Sequence, residues 1–317
     1  MLSIFLFSAL LVIAFMPLCL KFLRSMRIGQ IVRSEGPVSH LSKSGTLTMG
    51  GVLFVFVTMI VFTSFSAVNG FTSKICLIIY MTLAFSAIGF LDDFLKFFKK
   101  SPYGLKARES ILMQIILAIP FLIFAMRLKN LGLNLILLGL FDLIVILAIT
   151  NSVNLTDGLD GLLTGISIPI FIFYFLILRS EPISNFSLAF AGSLLGFLFF
   201  NFYPAKIFMG NTGSFAIGGA ISAFVILTNT ELLFLILGGI FVIEALSVII
   251  QVFYFKYTKR KYGVGKRIFL MSPLHHHFEL QGLPEPLIVV RIWIIQLLFF
   301  TLSFILFNIF AFPNLLN

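Results

Sequence analysis

Long apolar runs separated by short polar ones set the rhythm of this chain. Ten runs stand out, at roughly 2–22, 48–66, 74–91, 111–126, 131–150, 162–178, 187–202, 215–227, 232–254 and 287–310. A bilayer core ~30 Å thick takes ~20 helical residues to cross, so apolar stretches of this length predict membrane spans. The fourth, seventh and eighth runs are short for a full crossing. No internal repeat, low-complexity linker or soluble insertion interrupts the series. The pattern predicts an all-α polytopic integral membrane protein with about ten transmembrane helices, forming one domain over residues 1–317.

Composition agrees. Of 317 residues, 60% are hydrophobic and 11% charged, and 41 are Phe, which suits a lipid-facing surface. A soluble domain of this size is excluded. Cys19 and Cys76 both fall inside apolar runs, so no disulfide framework or cysteine metal site follows. The first run lacks the basic start and small-residue cleavage site of a signal peptide and reads as a retained span.

The net charge of +10 would suggest a nucleic-acid partner in a soluble protein. Here its placement is more informative. Seventeen Lys and Arg fall in the odd-numbered loops between runs and four in the even-numbered ones. The positive-inside rule puts the odd loops in the cytoplasm and both termini outside, extracellular or periplasmic. The basic residues then face a lipid bilayer, and no nucleic acid is expected. The same sorting sends nearly all reactive side chains to the cytoplasmic face: Asp92, Asp93, Asp157, Asp160, Asn211 and His275 to His277. An enzyme with a cytoplasmic, water-soluble substrate has this distribution. A transporter needs polar groups at mid-membrane, where only Asp142 and Glu244 stand.

Five segments carry the chemistry. In "GFLDDFLKFFKK", Asp92 and Asp93 close the third run. Neighbouring residues do not share a helix face, and acids at a helix C-terminus are unfavourable without a cation. The pair reads as a metal or diphosphate site, against a solvated helix end. In "TNSVNLTDGLDGLLTG", Asp157 and Asp160 share a face if the segment is helical, with Asn154 three residues before. An ordinary turn is the plainer reading. In "MSPLHHHFELQG", three consecutive His cannot line one helix face, so zinc is not expected from them alone. Imidazoles there suit phosphate contacts or acid–base work near neutral pH. In "HLSKSGTLTMGG", Lys43 is either a phosphate contact or a headgroup anchor. "KIFMGNTGSFAIGG" lacks the P-loop pattern. Its Asn211, Thr212 or Ser214 can cap the following span, and helix N-termini attract anions.

Taken together, "TMGG" (48–51), "LDD" (91–93), "NLTDGLDGL" (154–162), "FNFYPAKIFMGNTGS" (200–214) and "PLHHHFE" (273–279) resemble the bacterial phospho-N-acetylmuramoyl-pentapeptide transferases. The resemblance covers nearly the whole chain. It implies transfer of phospho-MurNAc-pentapeptide from UDP-MurNAc-pentapeptide to undecaprenyl phosphate, giving lipid I and UMP, with Mg²⁺, in a homodimer of the bacterial inner membrane. Carried over by motif, Asp92 is the base toward the lipid phosphate with Asp93 beside it. Asn154, Asp157 and Asp160 become nucleotide and active-site contacts. Asn201 and Phe208 become uridine-pocket residues, Phe208 stacking on uracil. Lys43, Thr48 and Lys106 lie near the phosphates. His275 and His276 are the catalytic histidines, with His277 on the substrate side. Asp157 and residue 211 are the metal positions. The family pattern there reads M-G-D-[TV]-G-S, and this chain has Asn211, so the resemblance also implies weakened metal binding and low activity. The alternatives are a transferase of N-acetylglucosamine-1-phosphate, which "PLHHHFE" disfavours, and a membrane lipid transporter.

Overall fold

A computed structural model describes residues 2–26, 29, 45–66, 72–129, 135–179 and 181–315. They form twelve helices: α1 (Leu2–Ser25), α2 (Gly51–Ser66), α3 (Ser73–Lys99), α4 (Ala107–Lys129), α5 (Leu135–Thr156), α6 (Leu162–Ile177), α7 (Ser184–Asn201), α8 (Gly210–Thr228), α9 (Glu231–Leu237), α10 (Gly239–Tyr262), α11 (Leu274–Leu280) and α12 (Glu285–Leu315). Eight are long and apolar enough to cross a membrane, and α2 and α6 are shorter apolar helices. The chain is an all-helical, polytopic integral membrane protein.

In a bilayer every backbone polar group must be satisfied within the segment, so helices are the available spanning form. Helix α8 lies at the centre, packed by α2, α3, α5 and α6, and nearly every residue from Thr212 to Ile226 is buried. Small residues along it (Gly213, Ser214, Ala216, Gly218, Gly219, Ala220) allow neighbouring backbones to approach closely, as expected where lipid removes the usual hydrophobic drive between helices. The outer helices α1, α4 and α12 turn large exposed side chains outward, among them Leu10, Phe15, Phe124, Leu298 and Ile305. Polar contacts join the shell internally: Thr150 and Asn151 of α5 donate to Gln114 Oε1 of α4 at 3.1 and 2.9 Å.

Two boundaries differ from the sequence expectation. The ninth run is broken between α9 and α10, where Gly238 and Gly239 stand together. Glycine has the lowest helix propensity after proline. The carbonyl of Leu237 freed there accepts a 2.8 Å bond from the buried Gln296 of α12. Helix α3 runs on to Lys99 and ends on Lys100 in a left-handed conformation. Asp92 and Asp93 therefore sit inside the helix, two turns before its end, and the C-terminal dipole bears on them less.

The loops sort to two ends. Lys74, at the start of α3, pairs with Glu181 before α7 at 2.8 Å. At the opposite end, residues 47–51, 92–105, 154–160 and 205–214 contact one another. The odd-numbered loops gather there.

Closest of all is the contact of α3 with α8 at Gly89. A methyl group added at its Cα would stand 2.0 Å from the backbone oxygen of Asn211. Backbone cannot step aside as a side chain does, so Gly89→Val is expected to destabilise by about 1–3 kcal/mol or more. The check is the unfolding midpoint in detergent, which should fall by several degrees.

Candidate active site

The site is built where the segment before α2 meets the segment before α8. Phe208 N–H donates to Leu47 O at 2.8 Å, Gly50 N–H to Phe208 O at 2.9 Å and Gly51 N–H to Met209 O at 2.9 Å. This short pairing welds "TMGG" to "KIFMG". Gly210 then turns with φ +69°, a conformation glycine adopts freely. A methyl there would meet Asp93 Oδ2 at 2.5 Å and Thr48 Oγ1 at 3.1 Å, which places Thr48 and Asp93 on either side of the turn.

The first turn of α8 receives both aspartates of α3. Asp93 Oδ1 accepts from Asn211 N–H at 3.1 Å, and its Oδ2 accepts from Thr212 N–H at 2.9 Å and Thr212 Oγ1 at 2.8 Å. None of α8's own residues caps it from the side chain. The expected cap by Asn211, Thr212 or Ser214 is replaced by an acid from another helix. The anion drawn to this helix N-terminus is Asp93, whose charge the unsatisfied N–H groups and the dipole favour.

Asp92 does not point away from this site, as adjacency in a helix would suggest. Its Oδ1 accepts from Leu105 N–H at 2.6 Å, and its Oδ2 contacts Lys96 Nζ at 2.6 Å and receives the Asn211 Nδ2–H. The two acids converge because α8's first turn is broad enough to meet one with backbone and the other with the Asn211 side chain. The side-chain oxygen of Asn211 accepts from Asn154 Nδ2 at 3.1 Å, and Asn154 also donates to Ser214 at 2.8 Å. Its amide orientation follows from this network. Asn211 thus bridges α3 and α5.

Helix α5 ends at Thr156, and residues 157–161 form a turn. Asp157 and Asp160 therefore share no helical face. Asp160, 3% exposed, accepts from Ala205 N–H at 2.9 Å, and its own N–H donates to Glu285 at 2.7 Å. A cleft of about 480 Å³ opens beside it, lined by Thr46, Asp160, Tyr203, Phe208, Glu279 and Glu285 among others. Phe208 of its wall lies three residues before Asn211, whose N–H donates to Asp93.

Asn201 lies beneath the cleft wall rather than in it. It is buried, its Oδ1 accepting from Thr164 Oγ1 at 2.7 Å and its Nδ2 donating to Ile207 O at 3.0 Å. The first bond ties it to α6, and the second holds the segment that carries Phe208. Asn201→Ala is expected to cost about 1–3 kcal/mol by stranding two buried polar groups. The check is a lower unfolding midpoint in detergent.

The three histidines sit on α11, not in a loop, and diverge. His275 is fully buried, with Nδ1 3.3 Å from Glu244 Oε1. His276 Nδ1 lies 3.2 Å from Glu279 Oε2. His277 Nδ1 accepts from Leu270 N–H at 3.1 Å. Glu244, one of the two mid-membrane acids, is directed to α11, its Oε2 accepting from Leu274 N–H at 2.6 Å. Lys106 is exposed at the start of α4, next to the Leu105 that binds Asp92. Lys43 lies outside the described residues. The sequence reading missed Lys96, Glu244 and Glu285. Lys96 had a signal, standing four residues after Asp92 and so on its helix face. Glu244 and Glu285 act across 30 and 125 residues, and no local pattern announces such contacts.

Acids, amides and a cleft of mixed polar and apolar lining at one end of a membrane bundle have the make-up of a membrane-enzyme site, and similarity to known proteins gives its class as phosphosugar transfer. The profile of Glycosyl transferase family 4 matches residues 75–229, from α3 through α8. A phospho-N-acetylmuramoyl-pentapeptide-transferase of Shouchella clausii (strain KSM-K16) is 45% identical over 301 residues, covering 89% of this chain and 90% of that relative. One from Thermoanaerobacter sp. (strain X514) is 44% identical over 307 residues, covering 91% and 92%. The chain belongs to the phospho-N-acetylmuramoyl-pentapeptide-transferase family.

Proposed function

We propose that this protein transfers phospho-MurNAc-pentapeptide from UDP-MurNAc-pentapeptide to undecaprenyl phosphate at the cytoplasmic face of the bacterial inner membrane, releasing UMP and forming lipid I. The observation that carries the reading is the joining of the two aspartates, through the first turn of α8, to the cleft walled by Phe208 and Asp160.

The reaction asks one phosphate oxygen to attack the β-phosphorus of a diphosphate, which brings anions together. Phosphoryl transfer is mostly positioning and charge stabilisation. In this reading Phe208 stacks on the uracil, and Asp160 and Asn154 fix the nucleotide. Thr48, Lys43 and Lys106 lie toward the phosphates, and His276 and His277 toward the sugar. Asp92 takes the proton from lipid phosphate that arrives as the monoanion. The second pKa of such a phosphate is about 6, so much of it arrives already ionised. Lys96, 2.6 Å from Asp92, holds that carboxylate in place.

The resemblance also implies Mg²⁺, with Asp157 and residue 211 as its ligands, and the hydrogen bonds test the fit. Mg²⁺ prefers carboxylates together with waters. Asp93 has its oxygens on α8, Asp92 has its own on Leu105, Lys96 and Asn211, and the Asn211 amide oxygen turns to Asn154. Among the described residues no three His, Cys, Asp or Glu side chains converge as a metal group. As arranged, the donor set fits Mg²⁺ poorly.

The experiment is an assay of purified protein with undecaprenyl phosphate and either UDP-MurNAc-pentapeptide or UDP-N-acetylglucosamine, read as UMP release and lipid product. Product from the first donor alone is expected. Product only from the second would move the chain to N-acetylglucosamine-1-phosphate transfer. If neither donor yields UMP, even with Asn211→Asp, the enzyme reading is wrong.

A further inference from the structure

We infer that Glu244 is a positioning residue for His275, holding its imidazole with the proton on Nδ1 and a bare Nε2 aimed at the turn between α5 and α6. The inference rests on the proposed transferase reading for its catalytic consequence, but not for its structural content.

Glu244 stands in α10 with 3% exposure, surrounded by apolar helix. A carboxylate in such a place is costly unless it is engaged. Both of its oxygens reach α11. Oε2 accepts from Leu274 N–H at 2.6 Å, which satisfies a free amide at the helix start, and Oε1 lies 3.3 Å from His275 Nδ1. That second contact is a close approach of ion-pair length and not a formed hydrogen bond. The chemistry of the pair sets the proton's place. A bare Nδ1 would oppose its lone pair to a carboxylate oxygen, whereas Nδ1–H meets it favourably. A carboxylate that engages one ring nitrogen selects the tautomer and leaves the other nitrogen to act.

The other nitrogen is well placed. Nε2 is buried without a hydrogen-bond partner. It presses against Gly158, where an added methyl would stand 2.2 Å away. Gly158 lies between Asp157 and Asp160, in the turn that carries the nucleotide contacts of the proposed site. Only a residue without a side chain lets the ring come this close. Glu244, His275 and Gly158 thus form a line from the interior of α10 to the active-site turn, with Nε2 at the end nearest that turn.

The test uses the full-length protein in detergent, labelled with ¹⁵N-histidine, with His275→Gln to assign the resonance. The expected spectrum shows a protonated Nδ1 and a bare Nε2 at His275. In Glu244→Gln the amide oxygen can still accept from Leu274 N–H, so the unfolding midpoint should hardly move while the tautomer populations redistribute. In the transferase assay that variant should lose kcat on the order of 10–100-fold, as when the carboxylate partner of a functional imidazole is removed, with KM for the UDP-sugar unchanged. Glu244→Asp should recover part of the loss, and Gly158→Ala should displace the ring and shift the same resonance. A bare Nδ1 in the unsubstituted protein, or a His275 spectrum that Glu244→Gln leaves untouched, would overturn the inference. If the transferase reading alone is wrong, no variant will show turnover, yet the spectra will still respond to Glu244.

Discussion

Asn211→Asp is expected to raise transferase activity at least about tenfold in saturating Mg²⁺ and to make the protein less stable when Mg²⁺ is removed. Both effects come from one atom. The Asn211 Nδ2–H now donates to Asp92 Oδ2, so a neutral amide occupies the space between two acids. A carboxylate there cannot donate. It would stand against Asp92 and beside Asp93, and like charges ~4 Å apart at an effective dielectric near 20 repel by about 4 kcal/mol. The variant has then lost a hydrogen bond and gained a repulsion, unless a cation sits among the three oxygens. Mg²⁺ should therefore raise its unfolding midpoint by much more than that of the unsubstituted protein. The rate gain is modest to ask for, since about 1.4 kcal/mol of added transition-state stabilisation is already tenfold. Equal Mg²⁺ responses in the two proteins, in both rate and melting, would remove residue 211 from the metal position.

That position was legible in the sequence only because the surrounding letters match the family pattern and this one departs from it. Other features were legible for plainer reasons. Runs of ~20 apolar residues leave few alternatives to spanning helices, so the helices of the bundle could be placed before any coordinate. What failed were statements about ends and directions. The ninth run is largely apolar, yet two glycines break it, and the Leu237 carbonyl beside them is met by Gln296 on α12. Asp92 and Asp93 were expected to diverge, since helix geometry alone separates neighbours. They converge because α8 offers Asp93 its backbone and Asp92 the Asn211 amide. The cap of α8 was sought among its own residues, where propensity rules look, and lies on α3. Glu244 looked like an isolated charge because its partners come 30 residues later, on a short helix whose sequence suggested a loop. In each case a contact distant in the chain decided what local pattern could not.

The two aspartates should separate cleanly by substitution. Asp93→Asn is expected to destabilise by about 2 kcal/mol or more and to abolish activity. Asp93 meets three donors, two of them backbone N–H groups at the start of α8. An amide offers one oxygen, so one donor will face an NH₂ group. The cost combines a stranded buried donor, about 1–3 kcal/mol, with the lost anion at a helix N-terminus, about 0.3–1 kcal/mol. Asp92→Asn differs. Its remaining oxygen still accepts from Leu105 N–H, and Lys96 is exposed enough to swing to water, so the lost ion pair should cost no more than about 1 kcal/mol and the lost Asn211 bond about 1 kcal/mol more. Its activity should nevertheless fall if it is the base, by about twofold at pH 6 and about tenfold at pH 5, as the ionised fraction of the lipid phosphate shrinks. The deficit carries a signature. Below the phosphate's second pKa of about 6 the lipid substrate holds a proton that must be removed, and well above it the proton is already gone. The Asp92→Asn deficit should therefore narrow between pH 6 and pH 8, while that of Asp93→Asn stays constant. A deficit at Asp92 that ignores pH would assign that residue to holding Lys96 and Asn211 in place, and the lipid phosphate would need no base from the protein.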